Sequence, residues 1–490
     1  MHEAISIGIV GNGITGRLTA VELGSHFGEQ ANITMYDNFS HPLPVNRPVA
    51  PSHLGPIGLE VQSGSLWNGY TFEESDGGLY CNVSDGVSKK WLEEFSRRSN
   101  DVGVVDRQLD LYLHNREGLD YYLTDPLYAN HIAQNGNLRL FRSAQSFRRA
   151  VDYVRRIQDI YQQPPEVIDE DILQSRMPGK RGSFRLNDYA GGIFYPEDAT
   201  GDSLKIQEVM SRKLGDLAVR VLNQKIVEVQ EHGNGATITT RSNKKYSHDI
   251  VYVCAGIENE AIAGVDKQDY WLYPFAGRRF DFTQLDQMDL QNITIGLDDE
   301  CFILRQATDG SIQAGGTVII RDREKSKDRL FTGDEKDDFL EKSLSRLFGK
   351  EVKTVTTSYG IRAMTQDDLP RISSSTNNSI VLINPTGHLG FLQAPVMASH
   401  ALSHAVDVYD YKKIAHSKVM TNEALRAETR RLYRQKGPKT HISSEEDKPT
   451  PRRGSRSNFV ALRRSIIESG RGNSKKPMSR EQKLARRRKK

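Results

Sequence analysis

Three glycines and one aspartate near the start of the chain are the first residues whose types and spacing carry chemistry. Gly11, Gly13 and Gly16 form a G-x-G-x-x-G directly after the apolar run ISIGIV, and Asp37 closes a second run, NITMYD, 21 residues after Gly16. In such a pattern the first glycine makes a tight turn, the second lets the backbone approach a pyrophosphate, and the third lets helix and strand pack closely. The pyrophosphate then sits at a helix start, where unpaired N–H groups and the helix dipole favour negative charge. A carboxylate about 20 residues further on accepts hydrogen bonds from the adenosine ribose. The competing reading is an ordinary βαβ unit with Asp37 as a solvated strand end. Strand, glycines, the helical run GRLTAVELGSHF, second strand and acid all fall in order, which favours a dinucleotide site.

The far end of the body decides which dinucleotide. SIVLINPTGHLGFLQAPVMASHAL is a buried strand that delivers a glycine loop, with Gly387, His388, Leu389 and Gly390, to a helix start some 370 residues after the first motif. An NAD site is normally one contiguous unit and needs no such return. FAD is longer, and its isoalloxazine ring needs a second segment. A helix beginning near Leu389 aims its positive end at the flavin pyrimidine edge, where negative charge develops on reduction.

The elements that must position these residues follow from patterning. The chain has 490 residues, enough for more than one core. PEVID, GGIFY, the β-rich span 219–255, the hairpin around Asp309-Gly310, VKTVTTSYGIRAM and SIVLIN read as strands. Residues 86–98, 143–161 and EKDDFLEKSLSRLF read as helices, and SHPLPVNRPVAPSHLGPIG reads as a long loop. The expected fold class is α/β: an FAD-binding Rossmann-type domain interleaved with a mostly antiparallel-sheet substrate domain, plus a disordered basic C-terminal tail. The expected boundaries are 1–80, 196–262 and 365–435 for the FAD-binding domain, 81–195 and 263–364 for the substrate domain, and 436–490 for the tail.

In this order the motifs resemble the FAD-dependent oxidoreductases of the D-amino acid oxidase, glycine oxidase and sarcosine oxidase group, over roughly residues 5–405. GIVGNGITG with Asp37 is similar to its ADP-binding start, and APSHLGPIGLEVQ to its second cofactor loop. KIVEV and DIVYVCAG are similar to its adenine-side strand and Ala-Gly turn. YPFAGRRF, GGTVI, YGIRAMTQDDLPRI and PTGHLGFLQAP are similar to later motifs. The resemblance implies that Gly11, Gly13, Ile14, Thr15 and Gly16 hold the pyrophosphate and Asp37 the ribose. It implies that Val227 meets adenine through its backbone and that Ala255 and Gly256 line the cofactor. Gly387, His388, Leu389 and Gly390 are then expected along the flavin ring. Arg362 matches the arginine that grips a substrate carboxylate, a role its planar fork suits. Two departures stand out: TGHLGF is more compact than the usual loop, and Pro51 and His53 occupy positions where small residues are usual. No cysteine lies in 355–370, so non-covalent FAD is expected.

The chemistry implied is oxidation of a CH–NH bond of an amino acid or related amine by hydride transfer to flavin N5, with molecular oxygen or another acceptor taking the electrons. Positioning matters more than acid–base machinery. Arg362, His388 and Tyr359 are the candidate catalytic residues. An ion pair of Arg362 with Asp367 or Asp368 competes with its substrate role. His388 can equally cap its loop, and Tyr359 and Tyr195 can close the cavity or simply pack. His400 and His404 stand i, i+4, a metal-capable spacing, but no third ligand is evident and no metal is expected. A hydroxy acid or another secondary metabolite is the alternative substrate.

Three scattered cysteines exclude a disulfide framework and suit a cytoplasmic setting. No apolar run reaches the length of a membrane span. Net charge is +4, but residues 436–490 carry 18 Lys+Arg against 5 Asp+Glu. That tail suits loose polyanion binding, so a flavin-bearing assembly or nucleic-acid-associated protein is the reading from a different class.

Overall fold

In a computed structural model the chain divides into a body, Met1–Lys418, and a C-terminal unit, Val419–Lys490. The described residues all belong to the body: 4–37, 52–53, 79–99, 115–133, 136–157, 163–169, 172–173, 188–264, 272–282, 294–297, 302–306, 312–323, 337–353, 356–366, 370–384 and 390–417. The expectations for the 436–490 tail and for most of the loop after Asp37 lie outside them. Within that loop Ser52–His53 forms a short strand against Thr200–Gly201, a pairing that local composition did not signal.

Five parallel strands run in the order Arg220–Asn223, Ala31–Asp37, Ile5–Val10, Ile250–Val253 and Ile380–Asn384, and Arg371–Ser374 adds an antiparallel edge. The central strands are apolar throughout because both faces are covered. Ile5, Ile7, Ile9, Tyr252 and Ile383 face the helices Ile14–Phe27 and Gly390–Ser417. Val10, Val251, Val253, Ile380 and Leu382 face an antiparallel meander, Ile226–His232, Gly235–Thr240 and Lys245–His248. At about 25 cal/mol per Å2 of buried apolar area, these two half-cores are the main stabilisers of the domain.

The first strand has Ala31–Asp37 on one side and Ile250–Val253 on the other. The chain order reverses there, and ligands of open α/β sheets bind outside the carboxyl ends at such a point. All five parallel strands end on that edge, which brings Gly11, Asp37, Cys254 and Asn384 to one rim.

A second, larger sheet follows the order Thr356–Met364, Tyr273–Phe282, Ile312–Arg321, Phe302–Gln306, Thr294–Leu297, Asn137–Phe141, Gly191–Tyr195 and Glu166–Asp169. It is antiparallel except where Thr294–Leu297 meets Asn137–Phe141 and where Leu79–Asn82 joins Ile312–Arg321. The helix Asp337–Phe348 covers Phe280 and Phe282 on one face. The helix Gly86–Ser99 sets Trp91 and Phe95 against Tyr273, Phe275 and Met364 on the other. The 3-10 turn Gly256–Ala261 of the first domain lies against the strand Thr356–Met364 of this sheet.

Candidate active site

The rim is built from two glycine turns pressed together. Gly11 takes φ +105°, a conformation that only glycine adopts freely, and its N–H donates to Tyr36 O at 2.8 Å. A Cβ placed on Gly11 falls 2.5 Å from Cys254 O and 3.0 Å from Ala255 Cα. A Cβ on Gly16 falls on the carbonyl oxygen of Gly11. A Cβ on Gly13 meets nothing within 4 Å. The three glycines therefore serve three purposes: a left-handed turn, open space on the ligand side, and close helix–loop packing.

Gly13 is the N-cap of the helix Ile14–Phe27, in extended conformation, with no side-chain cap and no acid in the first turn. Its first N–H groups have no intrahelical acceptor, an arrangement that suits a pyrophosphate. On the far side of the switch point the Ala255 N–H donates to Asn259 Oδ1 at 2.8 Å, and Gly256 takes φ +58° with open space around it. Asp37 ends its strand half-buried, and its backbone oxygen accepts from Gln224 N at 2.9 Å. Val227 stands at a bulge between Ile226 and Glu228, and its carbonyl accepts from Ala263 N at 2.9 Å. The structure thus brings the expected residues Gly11, Gly13, Ile14, Thr15, Gly16, Asp37, Ala255 and Gly256 to one rim, with Val227 on the adjoining meander.

Sequence reading passed over Arg17, which is 3% exposed. Its Nε donates to both Asn12 O and Asn12 Oδ1 at 3.0 Å, and Nη1 donates to Gln207 O at 3.0 Å and Ser211 Oγ at 2.5 Å. Burial pulls its pKa below the ordinary arginine range, and the Asp37 charge opposes that shift. Arg17 ties the glycine loop to the helix Ser203–Asp216 behind it.

The second glycine loop, with Gly387, His388 and Leu389, lies outside the described residues. The helix after it begins at Gly390 and contains Pro395. Proline has no N–H, so the carbonyl of Phe391 loses its helical partner. The Tyr122 hydroxyl donates to that carbonyl at 3.0 Å, and Gly118 lies against Leu392 O. Burial raises the Tyr122 pKa well above the usual phenol range, so the hydroxyl keeps its proton.

Arg362 lies on Thr356–Met364, opposite Phe275 of Tyr273–Phe282. A Cβ on Gly277 would sit 2.8 Å from Arg362 Nη2, 3.0 Å from Cζ and 3.2 Å from Nη1. The guanidinium therefore lies over Gly277. Gly277 pairs with Gly360, which is exposed and has open space at its Cβ position. The cross-strand glycine pair clears a hollow beside Arg362 on its own face of the sheet. Tyr359 lies on the same strand, three residues before Arg362, opposite Arg278. Asp367 and Asp368 lie outside the described residues. Tyr195 is 1% exposed, opposite Asn137. His404 Nδ1 is 3.0 Å from Tyr252 Oη, and burial lowers its pKa to about 4. It is a helix–sheet packing residue, and among the described residues no cluster of metal-ligating side chains is found.

A parallel sheet with a glycine turn at its switch point, beside a large antiparallel sheet whose edge strand lies against the neighbouring Gly256–Ala261 turn, is the architecture of a dinucleotide-binding oxidoreductase. The sequence matches the family described as FAD dependent oxidoreductase (DAO) over residues 61–403, and the chain belongs to that family; FAD is its cofactor. The match begins downstream of the glycine motif, whose assignment rests on the loop geometry above. No curated protein matches the sequence. Among solved structures, iminodiacetate oxidase from Chelativorans sp. BNC1 is similar with TM-score 0.60 and 15% identity, covering 82% of this chain and 95% of that one. Glycine oxidase from Geobacillus kaustophilus gives TM-score 0.58 and 13% identity over 84% and 95% of the two chains. FAD-bound L-alpha-glycerophosphate oxidase from Mycoplasma pneumoniae gives 0.59 and 12% over 82% and 95%. At these identities the likeness is one of fold.

Proposed function

We propose that this FAD-dependent oxidoreductase oxidises a CH–NH bond of an amino acid or related amine that carries a carboxylate. The observation that carries this reading is the Arg362 guanidinium over Gly277, beside the hollow left by Gly360, on the strand that lies against the Gly256–Ala261 turn. A planar fork in a glycine-cleared hollow suits a bidentate carboxylate. FAD, when bound non-covalently at the rim, supplies the hydride acceptor, and molecular oxygen or another acceptor then removes the electrons.

The chain's own work is positioning. Gly11, Gly13, Ile14, Thr15 and Gly16 would hold the pyrophosphate through backbone N–H groups, Asp37 the ribose, and Val227, Ala255 and Gly256 the flanking groups. Arg362 would fix the substrate carboxylate and so the orientation of its α-carbon. Gly387, His388, Leu389 and Gly390 are assigned to the flavin ring by their place in the motif. Tyr359 and His388 stay with Arg362 as the candidate catalytic residues. Anaerobic titration of the purified protein with amino acids, N-methyl amines and hydroxy acids tests the reading. Bleaching of the flavin bands by amines carrying a carboxylate supports it, and bleaching by hydroxy acids alone overturns the amine assignment.

Loose polyanion binding by residues 436–490 rests on their charge alone. Deleting the segment should leave turnover intact while abolishing retention on heparin. A cytoplasmic setting rests on the scattered cysteines; among the described residues no helix is long and apolar enough to cross a membrane.

A further inference from the structure

One buried side chain at the rim has no hydrogen-bonding role among the described residues. Asn384 is the last residue of Ile380–Asn384, is 1% exposed, and neither its amide nitrogen nor its amide oxygen has a hydrogen-bond partner among the described residues. Buried polar groups are almost always paired, and an aliphatic side chain would fill this position without the desolvation cost. Residues that break a core rule in this way tend to mark functional positions.

Register fixes its place. Leu382 pairs with Val253, so Asn384 stands level with Ala255. Alternation puts it on the meander face with Ile380 and Leu382, the face that Ala255 shares. Ala255 in turn lies beside Gly11. With neighbouring strands about 4.8 Å apart, Asn384 is roughly 10 Å from the glycine loop, on the side away from Asp37. Asn259 reaches the same turn: its Oδ1 accepts from the Ala255 N–H, while its Nδ2 is buried without a partner among the described residues.

FAD extends in both directions from its pyrophosphate. With the pyrophosphate at the glycine loop and the adenosine ribose toward Asp37, the ribityl–isoalloxazine half must leave on the Asn384 side. We propose that Asn384 is a cofactor-binding residue that holds this half, its Nδ2 donating to, and its Oδ1 accepting from, the hydroxyl and amide groups there. A primary amide suits groups that both donate and accept. The inference rests on FAD lying along this rim, and adds a residue that no glycine motif contains.

The test compares full-length wild type with Asn384→Leu, using FAD and ADP as separate probes. Affinities are read from fluorescence titration and from the rise of the thermal midpoint with ligand concentration. Without ligand the variant should melt at or above the wild-type temperature, because an unpaired buried amide is gone. Its affinity for FAD should fall roughly tenfold or more, while its affinity for ADP stays unchanged. FAD affinity within twofold of wild type would overturn the proposal. Equal weakening of FAD and ADP would also overturn it, because the glycine loop itself would then be disturbed. Asn384→Asp keeps the shape and removes the amide donor; it should show the same selective loss and decides the matter if the leucine variant does not fold. A wild-type protein that binds ADP but not FAD would instead sink the cofactor assignment, so the two failures are distinguishable.

Discussion

Gly277→Ala displaces Arg362 without changing any charge. The added Cβ would lie 2.8 Å from Nη2 and 3.0 Å from Cζ, and the guanidinium must retreat until these contacts open to about 3.4 Å, ordinary van der Waals contact. No positive φ is recorded at Gly277 and the position lies within a strand, so the backbone accepts alanine and the fold should hold. A hydrogen bond to a charged group contributes about 1.5–3 kcal/mol, and a displaced fork forfeits at least one of its two. That predicts a loss of roughly 10- to 150-fold in affinity for a carboxylate, with little effect on a neutral analogue. Benzoate and benzamide, titrated against the visible spectrum of the holoprotein, make the comparison at nearly constant shape. Equal binding of benzoate to both proteins, or parallel loss for benzoate and benzamide, would refute the assignment of Arg362 as the carboxylate anchor. Arg362→Lys keeps the charge, loses the planar fork, and should fall between Gly277→Ala and Arg362→Ala.

Other outcomes follow from the same geometry. Gly13→Ala, which meets no protein atom, should leave the unliganded thermal midpoint within a degree or two while weakening both FAD and ADP; Gly16→Ala, whose Cβ falls on Gly11 O, should lower stability itself. Tyr122→Phe leaves the Phe391 carbonyl that Pro395 cannot serve without a donor, and should cost about 1–3 kcal/mol in urea unfolding. His248, held between Ser6 Oγ at 2.9 Å and Tyr36 Oη at 2.7 Å, has its pKa lowered to about 4, by burial first and against the pull of Asp249. A depressed histidine contributes stability that is present above its unfolded value near 6.5 and is lost as pH falls toward 4. The loss should be on the order of 1–3 kcal/mol between pH 7.5 and pH 4.5, and His248→Gln should lose measurably less over the same interval.

The first domain was legible because its signals are local. ISIGIV, the glycines and NITMYD each specify structure within a few residues, and their order specifies a parallel unit. The hairpins of the second sheet were readable for the same reason. The strand Thr356–Met364 was legible too, from the β-branched and aromatic run VKTVTTSYGIRAM. What escaped depends on contacts between distant segments. Nothing near Gly277 reveals that Arg362 lies over it, and nothing near Tyr122 reveals the carbonyl orphaned by Pro395. Arg17 reads as a polar helix residue until Gln207 and Ser211 close over it. Asn384 hides at the end of an apolar run, and only its missing partners make it conspicuous. His388, Gly387 and Leu389 lie outside the described residues.

The most direct measurement is the visible spectrum of the purified full-length protein, followed by anaerobic addition of amino acids of both hands and of N-methyl amines. The account predicts oxidised flavin bands that bleach with an amine carrying a carboxylate, with flavin released intact on denaturation. A colourless protein that cannot be reconstituted with FAD would contradict the assignment of the rim. A flavin that hydroxy acids reduce and amines do not would contradict the proposed substrate.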